Sequence, residues 1–142
     1  MDDYALVVNV DAAVVRGDEY LVIERGSEEE HAAGTLAFPG GKVEPDADGD
    51  ALRETARREV REEVGVETGA VEYVTSSTFT ADEGTECLNV VVRCEHESGE
   101  PEVRAPEEVA DAFWLDYDDL LGHEDVPAYV EAYAEAVEAS RR

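Results

Sequence analysis

The chain reads GGKVE at residues 40–44 and REVREEVGV at residues 58–66, and the second run is its most specific pattern. Glu59, Glu62 and Glu63 stand at i, i+3 and i+4, so a helix would bring all three to one face. Like charges so placed repel one another by roughly 0.2–0.5 kcal/mol per pair. A divalent cation would neutralise them, and Mg²⁺ takes oxygen ligands from carboxylates and substrate phosphates. The pattern therefore predicts a glycine turn followed by a helix that carries a cation site.

The helix has clear start and stop signals. Asp50 is a predicted N-cap, and Gly65 is a predicted C′ residue after Val64. Apolar residues recur every four positions along one side, at Leu52, Ala56, Val60 and Val64. We expect this side to pack on the core and the glutamates to face elsewhere.

The two runs resemble the Nudix box of diphosphate hydrolases, G-x5-E-x7-R-E-U-x-E-E-x-G-U, in which U is an aliphatic residue. Residues 58–66 match its second half at every fixed position, and Gly41 matches its first glycine. The preceding LAFP, residues 36–39, is similar to the segment that enters the box. Asp50 stands where the box has its first glutamate. The segment from Gly41 to Asp50 is three residues longer than the box, which indicates an insertion at about residues 46–48.

Residue patterns outside the box predict the other elements. Strands are expected at 4–15, 20–23, 36–38, 71–79, 85–94 and 109–115, with one helical turn at 116–121 and a helix at 127–140. A polar loop is expected at 27–34 and a turn at 96–101. The last helix should have one apolar side, formed by Val126, Tyr129, Val130, Tyr133 and Val137. Together with the resemblance, this predicts an α/β (α+β) fold in which a mixed β-sheet lies between helices and a loop-helix-loop carries the motif. We expect residues 1–142 to form one domain.

The resemblance also implies the metal site. Glu59, Glu62 and Glu63 are the expected ligands of Mg²⁺, with Mn²⁺ as the alternative ion, and the Gly41 carbonyl is a further expected ligand. Glu62 is favoured as the carboxylate that accepts a proton from the attacking water, although which glutamate is the base stays open.

Other residues are assigned by the same resemblance. Arg58 is expected to pair with the box glutamates and orient them, because a guanidinium binds carboxylates bidentately and stays charged. Arg25 and Lys42 are candidates for binding substrate phosphate. Glu108 is the candidate ligand and catalytic acid outside the box, with Glu107 as the alternative, and a solvated surface role stays open for both. Asp50 is expected to act mainly as the helix cap, since its side chain is too short to reach Arg58 well.

The function implied is Mg²⁺-dependent hydrolysis of a nucleoside diphosphate linked to another group. The favoured activity is a nucleoside triphosphate pyrophosphohydrolase that releases a nucleoside monophosphate. Hydrolysis of ADP-ribose or of dinucleoside polyphosphates is an alternative, and so is a non-catalytic nucleotide-sensing module. Four aromatic residues could stack on a base or lie in the core: Tyr73, Phe79, Phe113 and Trp114. Substrate identity, metal number and the choice between monomer and homodimer stay open.

The charge of the chain is extreme. It has 37 acidic and 11 basic residues, a formal net charge of −26. This balance argues against nucleic acid and anionic membranes as partners, since both require basic patches. The acids are spread along the chain, which indicates a surface adapted to a salty cytosol. The chain begins without a basic, signal-like segment, so we expect a cytoplasmic protein. Cys87 and Cys94 lie at odd separation on one predicted strand, so no bridge between them is expected.

The acidic surface predicts a dependence of stability on salt. Removing KCl from about 3 M to about 0.1 M lengthens the Debye screening distance from a few ångströms to about 10 Å, so repulsion among the acids grows. We expect the melting temperature to fall as KCl is removed, as measured by thermal unfolding. A melting temperature that stays constant over this range would contradict the interpretation.

Overall fold

The computed structural model describes residues 4–26, 34–46 and 49–142 of the chain. Its strands are β1 (Val7–Arg16), β2 (Glu19–Arg25), β3 (Leu36–Ala37), β4 (Gly40–Lys42), β5 (Glu67–Thr80), β6 (Glu86–Ser98) and β7 (Val109–Asp116). Its helices are α1 (Ala51–Val64), α2 (Tyr117–Leu120) and α3 (Ala128–Ser140). Among the described residues, every helix falls short of the length and apolar character needed to cross a bilayer.

The strands form one mixed sheet in the order β3-β2-β1-β6-β5, with β4 paired to β1 and β7 paired to β2. The β1–β6 pair is parallel, and the other pairs are antiparallel. This arrangement confirms the predicted mixed sheet with helices.

Helices α1 and α3 cover opposite faces of the sheet. Asn89 in β6 donates a hydrogen bond to Tyr133 of α3, whereas Val92 lines a cavity with Leu52 of α1. Because side chains alternate along a strand, odd positions of β6 face α3 and even positions face α1. Cys87 and Cys94 therefore lie on different faces, and both are buried free thiols.

Helix α1 confirms the predicted caps and apolar side. The Asp50 side chain accepts a hydrogen bond from the Arg53 amide, and Gly65 closes the helix in the left-handed region at φ 72°. The side chains of Ala56, Val60 and Val64 are fully buried. This packing fixes the helix against the sheet, so the direction of its glutamates is fixed as well.

Several predicted boundaries differ from the structure. Strand β1 begins at Val7, three residues later than expected, and β5 begins at Glu67, four residues earlier. The predicted turn at 96–101 is wrong in part, because β6 continues through Ser98 and pairs His96 with Thr68. Residues 27–33 of the predicted polar loop and residues 47–48 of the predicted insertion lie outside the described residues.

The predicted apolar side of the last helix is wrong at one position. Tyr129 is 47% exposed, whereas Val130, Ala134 and Val137 are buried. These three residues are spaced i, i+4 and i+7, which is the row that a single helical face presents. Tyr129 lies beside this row and borders a cavity instead.

The predicted glycine turn is a short strand. Gly40 pairs with Asp11 and Gly41 pairs with Val10, and neither glycine has a positive φ. Glycine is required here by close approach. A Cβ at Gly40 would overlap the Val10 carbonyl oxygen, and a Cβ at Gly41 would overlap the Glu59 carboxyl group.

Replacing Gly40 should therefore destabilise the fold. We expect Gly40→Ala to lower the free energy of unfolding by about 1–3 kcal/mol, because the backbone of β1 must move to admit the methyl group. The measurement is urea unfolding in high salt. The matched control is Gly69→Ala in β5, where a Cβ would lie 3.4 Å from the Glu97 side chain in ordinary contact. Equal stability of the two variants would show that β4 does not need the glycine.

Candidate active site

The three glutamates of the motif divide between the interior and the surface. Glu63 is only 4% exposed, and the Glu59 side chain is 16% exposed. Glu62 is exposed to solvent. The Glu59 carboxyl group occupies the space that a side chain at residue 41 would fill. The helix therefore directs two of its acids under β4 and leaves the third at the rim.

The pKa of Glu63 is raised by its surroundings. Burial raises the pKa of Glu63 well above its ordinary value, and the neighbouring Glu59 and Glu108 carboxylates raise it further, while the Gly40 amide opposes them. The Oε2 atom of Glu63 is buried and has no hydrogen-bond partner among the described residues. A buried carboxyl oxygen in this state requires a proton or a cation to balance it.

Arg58 joins the acid pair to β4. Its Nη2 donates to Glu59 Oε1 at 2.9 Å and to the Lys42 carbonyl oxygen at 3.1 Å. The hydrogen bond with Glu59 is the main reason that the pKa of Arg58 is raised. The predicted pairing with a motif glutamate is thus present.

Asp50 has a different partner from Arg58. It caps α1 and forms an ion pair with Arg53, which lowers the pKa of Asp50. Asp50 therefore anchors the first turn of the helix as the predicted N-cap.

Glu108 and Arg25 lie close together where β2 ends and β7 begins. The Gly26 amide donates to the Glu108 carbonyl oxygen at 2.8 Å, which holds the end of β2 against residue 108. The charge of Glu108 acts on Glu63 and helps to raise its pKa. Lys42 is exposed at the end of β4.

The motif acids are oxygen donors of the type that binds a divalent cation, but the described residues do not form a complete coordination shell in this structure. Within residues 4–26, 34–46 and 49–142, no three acidic, histidine or cysteine side chains are arranged around one point as ligands. The reason is that Glu62 lies at the surface, while Glu59 is held by Arg58. The partnerless Glu63 oxygen beside a second carboxylate is nevertheless the donor type that Mg²⁺ and Mn²⁺ prefer.

A cavity of about 460 Å³ opens on the α3 face, next to the acids. It is lined by Asn9, Asp11, Arg25, Ser77, Phe79, Asn89, Tyr129 and Tyr133. Of these residues, only Arg25 and Phe79 were predicted candidates for contact with substrate, and Tyr129 and Tyr133 were expected on the apolar side of the last helix. The overlooked signal is the pair of polar residues in VVNVDAAVV, residues 7–15, because Asn9 and Asp11 interrupt an otherwise apolar strand.

Asp11 belongs to a hydrogen-bonded cluster on the cavity wall. Asn89 Nδ2 donates to Asp11 Oδ2 at 3.1 Å and to the Tyr133 hydroxyl at 2.9 Å. Asn9 Nδ2 donates to Asn89 Oδ1 at 2.6 Å and to Asp11 Oδ1 at 3.3 Å. Burial raises the pKa of Asp11, and Asn89, Arg25 and Asn9 partly oppose this rise. The cluster is a rigid polar surface.

Arg25 lines the same cavity, and its Nε atom is buried without a hydrogen-bond partner among the described residues. The cavity and the acid cluster meet at β4. Asp11 lies against Gly40, and Glu59 lies against Gly41. One ligand could therefore contact both the cavity and the motif glutamates.

Trp114 makes structural contacts with Glu100 and Arg16. Its indole donates to Glu100 at 3.1 Å, and the Arg16 guanidinium lies 4.1 Å from the ring centroid. Phe113 packs against the core, and Tyr73 is exposed. Of the four aromatic candidates, Phe79 is the one that lines the cavity.

Residues 5–136 match the NUDIX domain family. The chain is 37% identical over 70 residues to CTP pyrophosphohydrolase of Escherichia coli (strain K12), covering 49% of this chain and 50% of that protein. It is 35% identical over 107 residues to NAD-capped RNA hydrolase NudC of Stutzerimonas stutzeri (strain A1501), covering 75% of this chain and 35% of that protein. These matches span half or less of the relatives' lengths.

Its structure resembles that of a MutT NUDIX hydrolase from Burkholderia pseudomallei, with a TM-score of 0.78 and 26% sequence identity, covering 94% of this chain and 98% of that one. The fold, the motif in α1 and the match over residues 5–136 agree with one another. The chain belongs to the NUDIX domain family.

Proposed function

We propose that this protein is a Mg²⁺-dependent hydrolase of diphosphate bonds, and that its substrate is a nucleoside triphosphate from which it releases a nucleoside monophosphate and pyrophosphate. The observation that carries the proposal is the buried Glu63, with its partnerless carboxyl oxygen, beside the part-buried Glu59 under β4. The family and the names of the relatives support hydrolysis of a diphosphate bond, and Mn²⁺ is the alternative ion.

The metal would be held by the motif acids. Glu59 and Glu63 are the inner ligands in this proposal, and Glu62, the Gly41 carbonyl and Glu108 are the further donors. When bound, such an ion polarises phosphate oxygens, neutralises developing negative charge and lowers the pKa of water. The protein contributes the position of the carboxylates, which α1 packing and Arg58 hold in place.

Glu62 is the proposed general base. It stands at the solvent-exposed rim, where water reaches it without crossing the core. As the water oxygen bonds to phosphorus, its proton passes to the Glu62 carboxylate, and the bridging P–O bond breaks to release pyrophosphate. An exposed carboxylate can then return the proton to solvent.

Two cations are proposed to hold the phosphate chain. Arg25 has a buried Nε that lacks a partner among the described residues, and it lines the cavity beside the acids. Lys42 is exposed and follows the two glycines at the end of β4. In a chain with a net charge of −26, local positive charge is needed to bind a polyanion.

Arg58 is a proposed positioning residue. It contacts both Glu59 and the Lys42 carbonyl oxygen, so it sets the distance between α1 and β4. A lysine could replace its charge but not its two-sided contact.

The test of this function is turnover of a nucleotide panel with Mg²⁺ in high salt, with separation of the products. We expect a monophosphate and pyrophosphate as products, and we expect Glu62→Gln to lower kcat by about 10²–10⁴-fold because the proton acceptor is lost. Glu54→Gln is the matched control on the same helix, since Glu54 pairs with Arg57 away from the acid pair.

Either of two results would contradict the proposal. A folded wild-type protein without turnover on any nucleotide would favour the non-catalytic binding module. Equal activity of Glu62→Gln and the control would leave hydrolysis intact but reject Glu62 as the base.

A further inference from the structure

Asp11 carries a negative charge into the cavity beside the proposed phosphate site, where a cation would be expected. It lies on β1 opposite Gly40, on the same side as Asn9 and Asn89, whose strands pair in register. A carboxylate here repels phosphate groups, so it suits a part of the ligand that donates hydrogen bonds. Arg25 lines the same cavity and acts on Asp11 electrostatically, which places a cation close to this carboxylate.

The Asp11 carboxylate, which lines the cavity, has acceptor capacity left. Each Asp11 oxygen accepts one hydrogen bond, from Asn9 or from Asn89. A carboxylate oxygen has two acceptor positions, so one on each oxygen is unused by these bonds. The Tyr133 hydroxyl accepts from Asn89 and keeps its proton as a donor. The wall therefore presents mainly acceptors.

The aromatic residues of the cavity suit a flat ring. Phe79 is 48% exposed and Tyr129 is 47% exposed, and both line the cavity. Tyr129 is held edge-on against Tyr133, with 5.7 Å between ring centroids. Stacking of a base on an aromatic side chain is tolerant of base identity, because every base has a π face. Selection among bases must therefore come from the polar wall.

We propose that Asp11 accepts a hydrogen bond from the exocyclic amino group of a nucleobase, so that the site selects amino-bearing bases over their oxo or deamino counterparts. This inference rests on the proposed function, since it names the class of nucleotide that the site takes. A carboxylate accepts readily from an amino group such as N4 of cytosine. Against an oxo group the same carboxylate faces another acceptor, and a polar site left unpaired rejects the ligand.

The geometry directs the rest of such a nucleotide toward the acids. Arg25 ends β2, and the next residue, Gly26, is bonded to the backbone of Glu108, whose charge reaches Glu63. A base held at Asp11 thus leaves its phosphates on the side of Arg25 and the motif glutamates.

The first experiment uses the wild-type protein and nucleotides that differ at one base position: CTP against UTP, ATP against ITP, and GTP against ITP. We expect the best substrate to carry an amino group, with kcat/KM about tenfold or more above that of its counterpart, the effect of one charge-assisted hydrogen bond. UTP or ITP as the best substrate, or ratios within about twofold, would overturn the inference.

The second experiment uses Asp11→Asn, which keeps the shape and replaces one acceptor oxygen by a donor. We expect the ratio of the preferred pair to fall at least about fivefold toward unity. Asp18→Asn, an exposed turn residue, is the control of equal charge change and should keep the wild-type ratio. A ratio unchanged in a folded Asp11→Asn protein would reject the role of Asp11, and the wild-type ratios decide the base class even if this variant unfolds.

Measurement of nucleoside monophosphate binding tests the base site independently of the proposed hydrolysis. If no triphosphate is hydrolysed, the catalytic proposal fails, and calorimetry of CMP against UMP and of AMP and GMP against IMP still tests the base site. Tighter binding of the amino-bearing member of a pair supports the inference. Equal binding, or none, overturns it.

Discussion

The packing of two carboxyl groups, the buried Glu63 and the part-buried Glu59, under the glycines of β4 is the constraint on which the rest of this structure depends. The Glu59 carboxyl group enters the space left by Gly41, the Gly40 amide bonds to Glu63, and Arg58 ties Glu59 to β4. Burial and mutual repulsion raise the pKa of Glu63, so the folded protein holds this proton to higher pH than the unfolded chain. The free energy of unfolding must then fall as pH rises above the ordinary carboxyl range toward the raised pKa. A bound cation would remove this cost.

The same two glycines lie between two polar groups of residues, with the Asp11 cluster against Gly40 and the motif glutamate Glu59 against Gly41. One side of β4 is acidic and suits a metal with phosphates, and the other side faces the Asp11 cluster and its cavity. Because β4 has only three residues and no bulky side chain at its first two, the sides lie close together. Arg25 supplies a positive charge to the cavity beside Asp11.

Much of the fold and part of the candidate site could be predicted from the sequence. Helix α1, its caps and its buried row were predicted, because they depend on local periodicity and capping. The role of Gly40 and Gly41 was missed, since close approach to Val10 and Glu59 depends on chain segments distant in sequence. The division of the glutamates, with Glu63 inside and Glu62 outside, also depends on where the sheet lies. Asp11 and Asn89 are 78 residues apart, and only the parallel β1–β6 pairing brings them together.

The most direct measurement is thermal unfolding of wild type and Glu63→Gln above neutral pH, with and without Mg²⁺ at constant ionic strength. The acid pair predicts that Glu63→Gln melts higher than wild type without Mg²⁺, because an amide needs no proton uptake on folding, whereas Glu63 must be protonated to be buried without a cation. It also predicts that Mg²⁺ raises the melting temperature of wild type but not of the variant, because only wild type retains the full ligand set. A variant that melts lower than wild type without metal and responds equally to Mg²⁺ would contradict the account.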